Sequence, residues 1–377
     1  MKKIVILGGG VGGTIVANLL VKRLRGKEAD ITLVDKTGEH VYQPGFVYVA
    51  FGKAKPEYLA RDERRLLRKA VNLVQGTATH IDPLNHKVHL GHGRILDYDY
   101  LVIAPGARLV PDEIPGFQEG AHHFHSLDAA VRLQEALESF KGGRVVVAVA
   151  SVPYKCPPAP AEAALLLDYY FTKKGIRDTV DIEFLSPLSR VFPLEPINPV
   201  IERMFARHNI RSKIFFNVLS IDPQNKVVES IEGEKVPYDL LVMVPPHRGA
   251  KVVEDSGLGD RGGWLPTDKR TLRSKAHPEI FALGDCTDVP VSKSGAAAHF
   301  QAKVVAEGLI AELRGRTPRL QYDGRVMCYL DAGYHKALVM SFDYEHPPEA
   351  HDPGLKAWLG KHFLNKAYWA LIPKGRA

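Results

Sequence analysis

The first 35 residues leave this chain few alternatives. Lys3 to Leu7 (KIVIL) has the composition of a short buried strand. Gly8-x-Gly10-x-x-Gly13 follows at once, and TIVANLLVKRL then carries apolar residues at helical spacing. Strand, tight turn and helix in that order are half of a dinucleotide-binding unit. Gly8 permits the turn, Gly10 lets the backbone approach a pyrophosphate, and Gly13 lets helix and strand touch, while the helix N-terminus offers donors to the anion. A second strand, DITLVDK, ends at Asp35, about 20 residues beyond the glycines, where a carboxylate can hold ribose hydroxyls.

Two later segments bear on which dinucleotide this is. YDYLVIAPGARLVP (Tyr98 to Pro111) and HPEIFALGDCTDVP (His277 to Pro290) resemble the second and third signatures of the FAD domain in two-dinucleotide-domain flavoproteins of the glutathione-reductase type. The residues read the same way physically. Ala104-Pro105-Gly106-Ala107 ends a buried strand at a crossover, and Gly284-Asp285 ends another with a carboxylate placed for a ribityl chain and diphosphate. The helix after Ser294-Gly295 can turn its positive end toward the flavin pyrimidine. FAD is therefore the expected cofactor, with Gly8, Gly10, Gly13, Asp35, Ala104, Gly106, Gly284, Asp285 and Gly295 as its binding residues. Pro44, in the loop Tyr42-Gln43-Pro44-Gly45, is either a turn former or a contact to the ring face.

The positions of these signatures imply an α/β fold of two Rossmann-like domains, the second inserted in the first. The FAD domain is expected over about 1–112 and 268–315, the insert over about 113–267, and a C-terminal segment with an amphipathic helix over about 316–377. The insert repeats the pattern, with strands at RVVVAVA, DIEFLS and YDLLVMVPP and helices after the first strand and around NPVIERMFARHNI. Its glycine fingerprint is missing. After Ala150 the chain reads SVPYKCPPAPAE, where prolines supply no N–H donors and Tyr154 and Lys155 crowd the turn, so no tight nicotinamide cofactor is expected. The turn offers instead a thiol, Cys156, beside Lys155 and just ahead of a helix. That setting lowers a thiol pKa, and Glu162 six residues on can handle protons. The residues alone equally allow a structural cysteine and a helix-favouring glutamate.

An FAD domain, a degenerate second site with Cys156 and Glu162, and a late cysteine, Cys328, in RVMCYLDAGYHKALVMSF together resemble the sulfide:quinone oxidoreductases and the related flavoprotein subunit of flavocytochrome c sulfide dehydrogenase. The resemblance spans nearly the whole chain. It implies that Cys156 and Cys328 meet in space as a redox-active disulfide or polysulfide bridge beside the flavin. Sulfide would be oxidised there, with Glu162 as acid/base and a membrane quinone as the electron acceptor. Some members carry a third cysteine ahead of the second domain. Here that region reads HHFHSLDAA, with His125 near the position as a solvated or hydrogen-bonded residue, so covalent flavin attachment through a cysteine is not expected. The remaining cysteine, Cys286, reads as a small packed residue. Three scattered cysteines exclude a disulfide framework or a CxxC zinc site, and no metal is expected.

A helix from about Leu355 to Leu371 is expected to gather Leu355, Trp358, Leu359, Phe363 and Trp369 on one side with Lys366 snorkelling, as a monotopic membrane anchor drawn to anionic lipid. A helix docked on the protein's own core is the other reading of that spacing. The net charge of +7 favours anionic partners. No apolar run approaches the roughly 20 residues of a membrane span, and Met1-Lys2-Lys3 leads straight into a strand without room for a signal peptide. The expected location is peripheral, on the cytoplasmic face of the cell membrane, with a homo-oligomer possible and no role for nucleic acid. Two other readings share the scaffold: a type II NADH dehydrogenase-like quinone reductase, and a non-enzymatic flavin redox sensor or electron-transfer subunit.

Overall fold

The computed structural model describes residues 1–24 and 28–376. Five short apolar strands form a parallel sheet in the order Ile280–Ala282, Tyr100–Ile103, Lys2–Leu7, Ala29–Asp35, Val71–Gln75. Such strands are covered on both faces, which is why they read as continuous hydrophobic runs; Ile4, Val5, Ile6 and Leu7 are all buried. Lys2–Leu7 has its successor Ala29–Asp35 on one side and Tyr100–Ile103 on the other. The strand order therefore reverses at its carboxyl end, where open α/β sheets hold ligands.

The glycine turn occupies that reversal, followed by helix Val11–Leu24. A Cβ on Gly13 would stand 2.0 Å from the Gly8 carbonyl oxygen, so only glycine lets the helix start this close to the strand. Helix Gly295–Leu313 lies beside it, and a Cβ on Gly295 would be 3.7 Å from Val11 Cγ2. The N-termini of the two helices thus converge on one crevice.

A second parallel sheet runs Ile210–Lys213, Val180–Leu185, Gly143–Val149, Leu240–Val244. Gly143–Val149 again has its successor Val180–Leu185 on one side and a much later strand, Leu240–Val244, on the other, so it has a reversal point of its own. Each sheet is also accompanied by a three-stranded antiparallel meander, 78–97 and 218–237, that closes on the same Asp-Asn turn. Asn85 bonds Asp82 at 2.8 Å and Asn225 bonds Asp222 at 2.7 Å. The sequence echoes this in IDPLN and IDPQN. Two crossover segments pair antiparallel, Arg108–Leu109 with His247–Arg248. The α/β class with two parallel sheets is as the sequence implies.

Beyond the second helix of the crevice, an antiparallel hairpin of Val326–Asp331 and Ala337–Phe342 sets Cys328 opposite Met340. The last helix, Leu355–Leu371, lies on that hairpin with Lys361 and Tyr368 buried. His40 Nε2 meets the Tyr368 hydroxyl at 2.7 Å, Asn18 Nδ2 donates to the Pro373 carbonyl at 2.8 Å, and Arg61 stacks over Trp369. This corrects the expected grouping of the helix. Trp358 packs edge-on against His335 and lies against His362, and Trp369 packs against His40 and Tyr42, so both half-buried rings find aromatic partners on the protein itself. Leu355, Leu359 and Phe363 alone form the exposed apolar stripe, with Lys366 also exposed. No helix among the described residues is long and apolar enough to cross a membrane.

Gly13→Ala forces the new methyl against a backbone oxygen that cannot rotate away. Overpacking of this kind costs about 1 to 3 kcal/mol, and we expect a loss of that size in urea unfolding.

Candidate active site

The crevice at the first sheet is shaped for a dinucleotide. Gly8, at φ +102°, lies so close to Ala104 that a Cβ would come within 2.4 Å of the Ala104 carbonyl oxygen. A Cβ on Gly10 would meet nothing within 4 Å, so the backbone there is open to an incoming anion. Gly106 is equally open at φ +76°, and the Gly284 N–H is held by Gln301 Oε1 at 2.6 Å. Asp285 contributes the informative atom: its Oδ1 is buried and has no hydrogen-bond partner among the described residues. Burial pushes this carboxyl up while Lys155 and Lys293 pull it back. A buried acceptor without a donor costs about 1 to 3 kcal/mol, and a hydroxyl-rich chain supplies the missing donors, so these residues fit the flavin dinucleotide.

Asp35 does more than wait for a ribose. Its Oδ2 accepts the Gly9 N–H at 2.8 Å and its Oδ1 accepts the N–H groups of Thr37 and Gly38 at 2.9 and 2.8 Å. It ties the glycine turn to the second strand and keeps spare acceptor capacity on Oδ2. Pro44 sits exposed in a single 3-10 turn, Gln43–Gly45, and Gln43 Oε1 accepts from the Lys155 amine at 3.0 Å.

The second sheet sends Cys156 toward the same region. Its carbonyl accepts the Ala159 N–H at 2.8 Å at the start of helix Ala159–Lys174, and its own N–H donates to the Lys293 carbonyl at 2.7 Å. Cys156 holds φ +56°, a left-handed conformation that a residue with a Cβ adopts at a cost. Cys328 arrives from the hairpin, its thiol against the hydroxyls of Ser292 and Ser294. The short segment Ser292 to Ser294 therefore touches both cysteines, and both pack against the same apolar cluster. Both thiols are free.

The thiols are not activated in the way the local sequence suggests. Burial pushes Cys156 up to about 12, with Cys328 and Glu162 adding to it and Lys361 and the Ala159 N–H opposing. Burial likewise pushes Cys328 up to about 11 against the two serine hydroxyls and Lys361. Lys155 does not overcome this: its amine turns to Gln43, its own pKa is depressed by burial, and its attraction to Cys156 is outweighed by the loss of water. Loss of water outweighs the helix N-terminus.

The charge that serves both thiols comes from the last helix, which the sequence leads one to expect on a membrane surface or docked on the core. Lys361, on the last helix, hydrogen-bonds Glu162 across 199 positions of sequence. Glu162 also accepts the Asp331 N–H. Burial favours neutral forms of both partners, raising Glu162 and working to lower Lys361, whereas their attraction favours the ion pair. Lys361 is held above its ordinary value because Glu162 and Asp331 both act on it, and an ammonium kept charged by two carboxyl groups implies an ionised Glu162 beside it. Lys361 lies seven residues, two helical turns, before the buried Tyr368; that spacing is the signal that would have placed it inward. Tyr48 frames the pair, its hydroxyl 3.4 Å from Asp331 Oδ2 and its ring 5.4 Å from the Lys361 amine.

His125 is not solvated. It is buried beside Phe124 and His247, its Nε2 has no hydrogen-bond partner among the described residues, and burial holds its pKa well down. Cys286 is buried with Sγ 3.3 and 3.4 Å from the carbonyl oxygens of Leu283 and Ile103. No group of metal-ligating side chains occurs among the described residues.

A dinucleotide crevice faced by two cysteines from distant parts of the chain defines a dinucleotide-dependent disulphide oxidoreductase, and residues 2–302 match the family described as pyridine nucleotide-disulphide oxidoreductase. The chain is 32% identical over 391 residues to the mitochondrial sulfide:quinone oxidoreductase of Dictyostelium discoideum, across 99% of this chain and 86% of that protein. It is 28% identical over 357 residues to the mitochondrial enzyme of that name from Mus musculus, across 92% and 79%. The crystal structure of the sulfide:quinone oxidoreductase from the hyperthermophilic bacterium Aquifex aeolicus matches with a TM-score of 0.90 at 25% identity, covering 100% of this chain and 92% of that one. The chain belongs to the sulfide:quinone oxidoreductase family.

Lys361→Met strands a buried carboxylate, and we expect a loss of about 3 to 5 kcal/mol in urea unfolding. Combining it with Glu162→Gln removes both charges and restores most of that loss. Alkylation of Cys156 and Cys328 by iodoacetamide is expected to be slow at pH 8 and to rise about tenfold per pH unit toward pH 10, as for any thiol well below its pKa. A rate that levels off below pH 9 would contradict the raised thiols.

Proposed function

We propose that the protein oxidises sulfide through Cys156 and Cys328, with FAD in the first crevice and a quinone as the terminal acceptor. The observation that carries this reading is the meeting of both cysteines on the Ser292 to Ser294 segment, immediately ahead of the helix whose N-terminus enters that crevice. Oxidised to a disulfide, the pair is open to attack by hydrosulfide. A new S–S bond forms to one cysteine, the Cys156–Cys328 bond breaks, and the products are a persulfide and a thiolate. Each S–S bond made from sulfide releases two electrons, and the quinone takes up two electrons and two protons to become the quinol. FAD, when bound, supplies the two-electron acceptor between them.

The remaining roles belong to side chains of this chain. The Ser292 and Ser294 hydroxyls donate to a Cys328 thiolate, and the Ala159 N–H and the Lys361 ammonium favour a Cys156 thiolate. Glu162, held against Lys361, is placed to take and return a proton beside both thiols. Gly8, Gly10, Gly13, Asp35, Ala104, Gly106, Gly284, Asp285 and Gly295 hold the dinucleotide, with Pro44 at its rim. The division into 1–112 with 268–315, 113–267 and 316–377 belongs to the same reading, supported by the paired crossover segments. The stripe Leu355, Leu359 and Phe363 with Lys356 and Lys366 around it supports peripheral attachment to the cytoplasmic face of a membrane, where a quinone dissolves. An NADH-oxidising role is disfavoured at the second crevice, where Cys156 and prolines stand in place of pyrophosphate donors and Tyr154 is buried.

Anaerobic mixing tests the reading. Sulfide should bleach the flavin absorbance and NADH should not, and Cys156→Ser and Cys328→Ser should each slow bleaching by about 100-fold or more. Equal rates in wild type and both variants would defeat the disulfide route.

A further inference from the structure

The hairpin that delivers Cys328 is tied to the helix that follows Cys156 at two points. Near the cysteines, the Asp331 N–H bonds Glu162. Six residues further along the same helix, about 9 Å, stands Asp168, a buried carboxylate with no part in the chemistry above. Its Oδ2 accepts the Tyr334 hydroxyl at 2.9 Å and meets His208 Nδ1 at 2.7 Å, and its Oδ1 accepts Arg177 Nε at 2.6 Å. Burial works to raise this carboxyl, yet its three donors hold it below the ordinary value. Tyr334 also shares a hydrogen bond with Thr172 at 3.0 Å and meets the Tyr169 ring edge-on.

Tyr334 is in the turn of the hairpin, and the turn is strained. Gly333, Tyr334 and His335 stand in succession at φ +70°, +49° and +55°. A Cβ on Gly333 would come within 2.7 Å of Tyr169 Cβ, so the turn is pressed against the helix. Left-handed backbone at two residues with side chains persists only where the surroundings over-determine it, and Asp168 supplies that constraint. A strand held at one point can pivot; held at two, its direction is fixed.

We propose that Asp168 and Tyr334 are positioning residues that set Cys328 against Cys156. The inference rests on the reading that the two thiols close to a disulfide. Closure demands sulfur positions accurate to a fraction of an ångström, and Cys328 lies only three residues before Asp331 on the clamped strand. Asp168 touches neither sulfur and acts through the hairpin.

The holoenzyme is equilibrated anaerobically in mixtures of glutathione and glutathione disulfide. In this exchange the two protein thiols lose two electrons and two protons to one glutathione disulfide, giving the protein disulfide and two glutathiones. The closed fraction is read by mass spectrometry after alkylation, with the flavin spectrum as a check on the first crevice. Asp168→Asn is expected to shift the closing equilibrium about tenfold toward the open thiols, and Tyr334→Phe, which keeps the ring and removes one donor, to shift it in the same direction by a smaller factor. Should Asp168→Asn fail to fold, Tyr334→Phe alone decides. Variants that lose thermal stability but close at the wild-type equilibrium overturn the positioning role. A wild type that never closes overturns the disulfide reading beneath it, and the inference with it.

Discussion

The buried ion pair between Glu162 and Lys361 is the contact on which the arrangement of this molecule depends. Glu162 stands in the first turn of the helix after Cys156, it accepts a backbone N–H from the hairpin that carries Cys328, and Lys361 comes from the last helix of the chain. One carboxylate thus joins three segments that sequence separates widely. Two charges removed from water are stable only if each satisfies the other, so the last helix is bound to seat where it does. Its other anchors, Tyr368 on His40 and Pro373 on Asn18, extend the same seating back to the helix of the dinucleotide crevice.

The same desolvation sets the character of the thiols. In water a cysteine beside a lysine and a helix N-terminus would be a ready thiolate; here both sulfurs are deep enough that the neutral form wins. A disulfide is uncharged and suits that environment better than two thiolates. Opening it creates a charge at the place where Lys361, the Ala159 N–H and two serine hydroxyls are already oriented, so the site stabilises the opened state with groups that need not reorganise.

Much of this was legible in the sequence, and the reason is local. Gly8 and Gly13 state a backbone requirement that only glycine meets, and Gly10 leaves the backbone between them open, so the first crevice can be read from a few consecutive residues. The central strands of both sheets, Lys2–Leu7 and Gly143–Val149, are buried along most of their length and announce themselves as apolar runs. What the sequence hid is what depends on distant partners. Lys361 resembles any helix-surface lysine until Glu162 is known to lie beneath it, and Trp358 and Trp369 resemble a lipid-facing stripe until His335, His40 and Tyr42 are in place. The raised thiol is hidden for the same reason: burial, which depends on distant segments, outweighs the adjacent Lys155, whose amine turns to Gln43.

The two parallel sheets show how one architecture came to carry two chemistries. Each has a first strand flanked by its successor on one side and a much later strand on the other, and each presents a turn at that strand's carboxyl end. At the first, Gly10 leaves the backbone bare, and N–H groups face an anion. At the second, a longer turn places Cys156 in a left-handed conformation of the kind glycine usually takes, and its N–H is already bonded to Lys293. That bond matters because Lys293 belongs to the lead-in of the helix entering the first crevice. The two reversal points therefore face each other across this backbone contact. The second turn is held against the site of the first, and the distance between thiol and crevice is fixed by main chain rather than by flexible side chains.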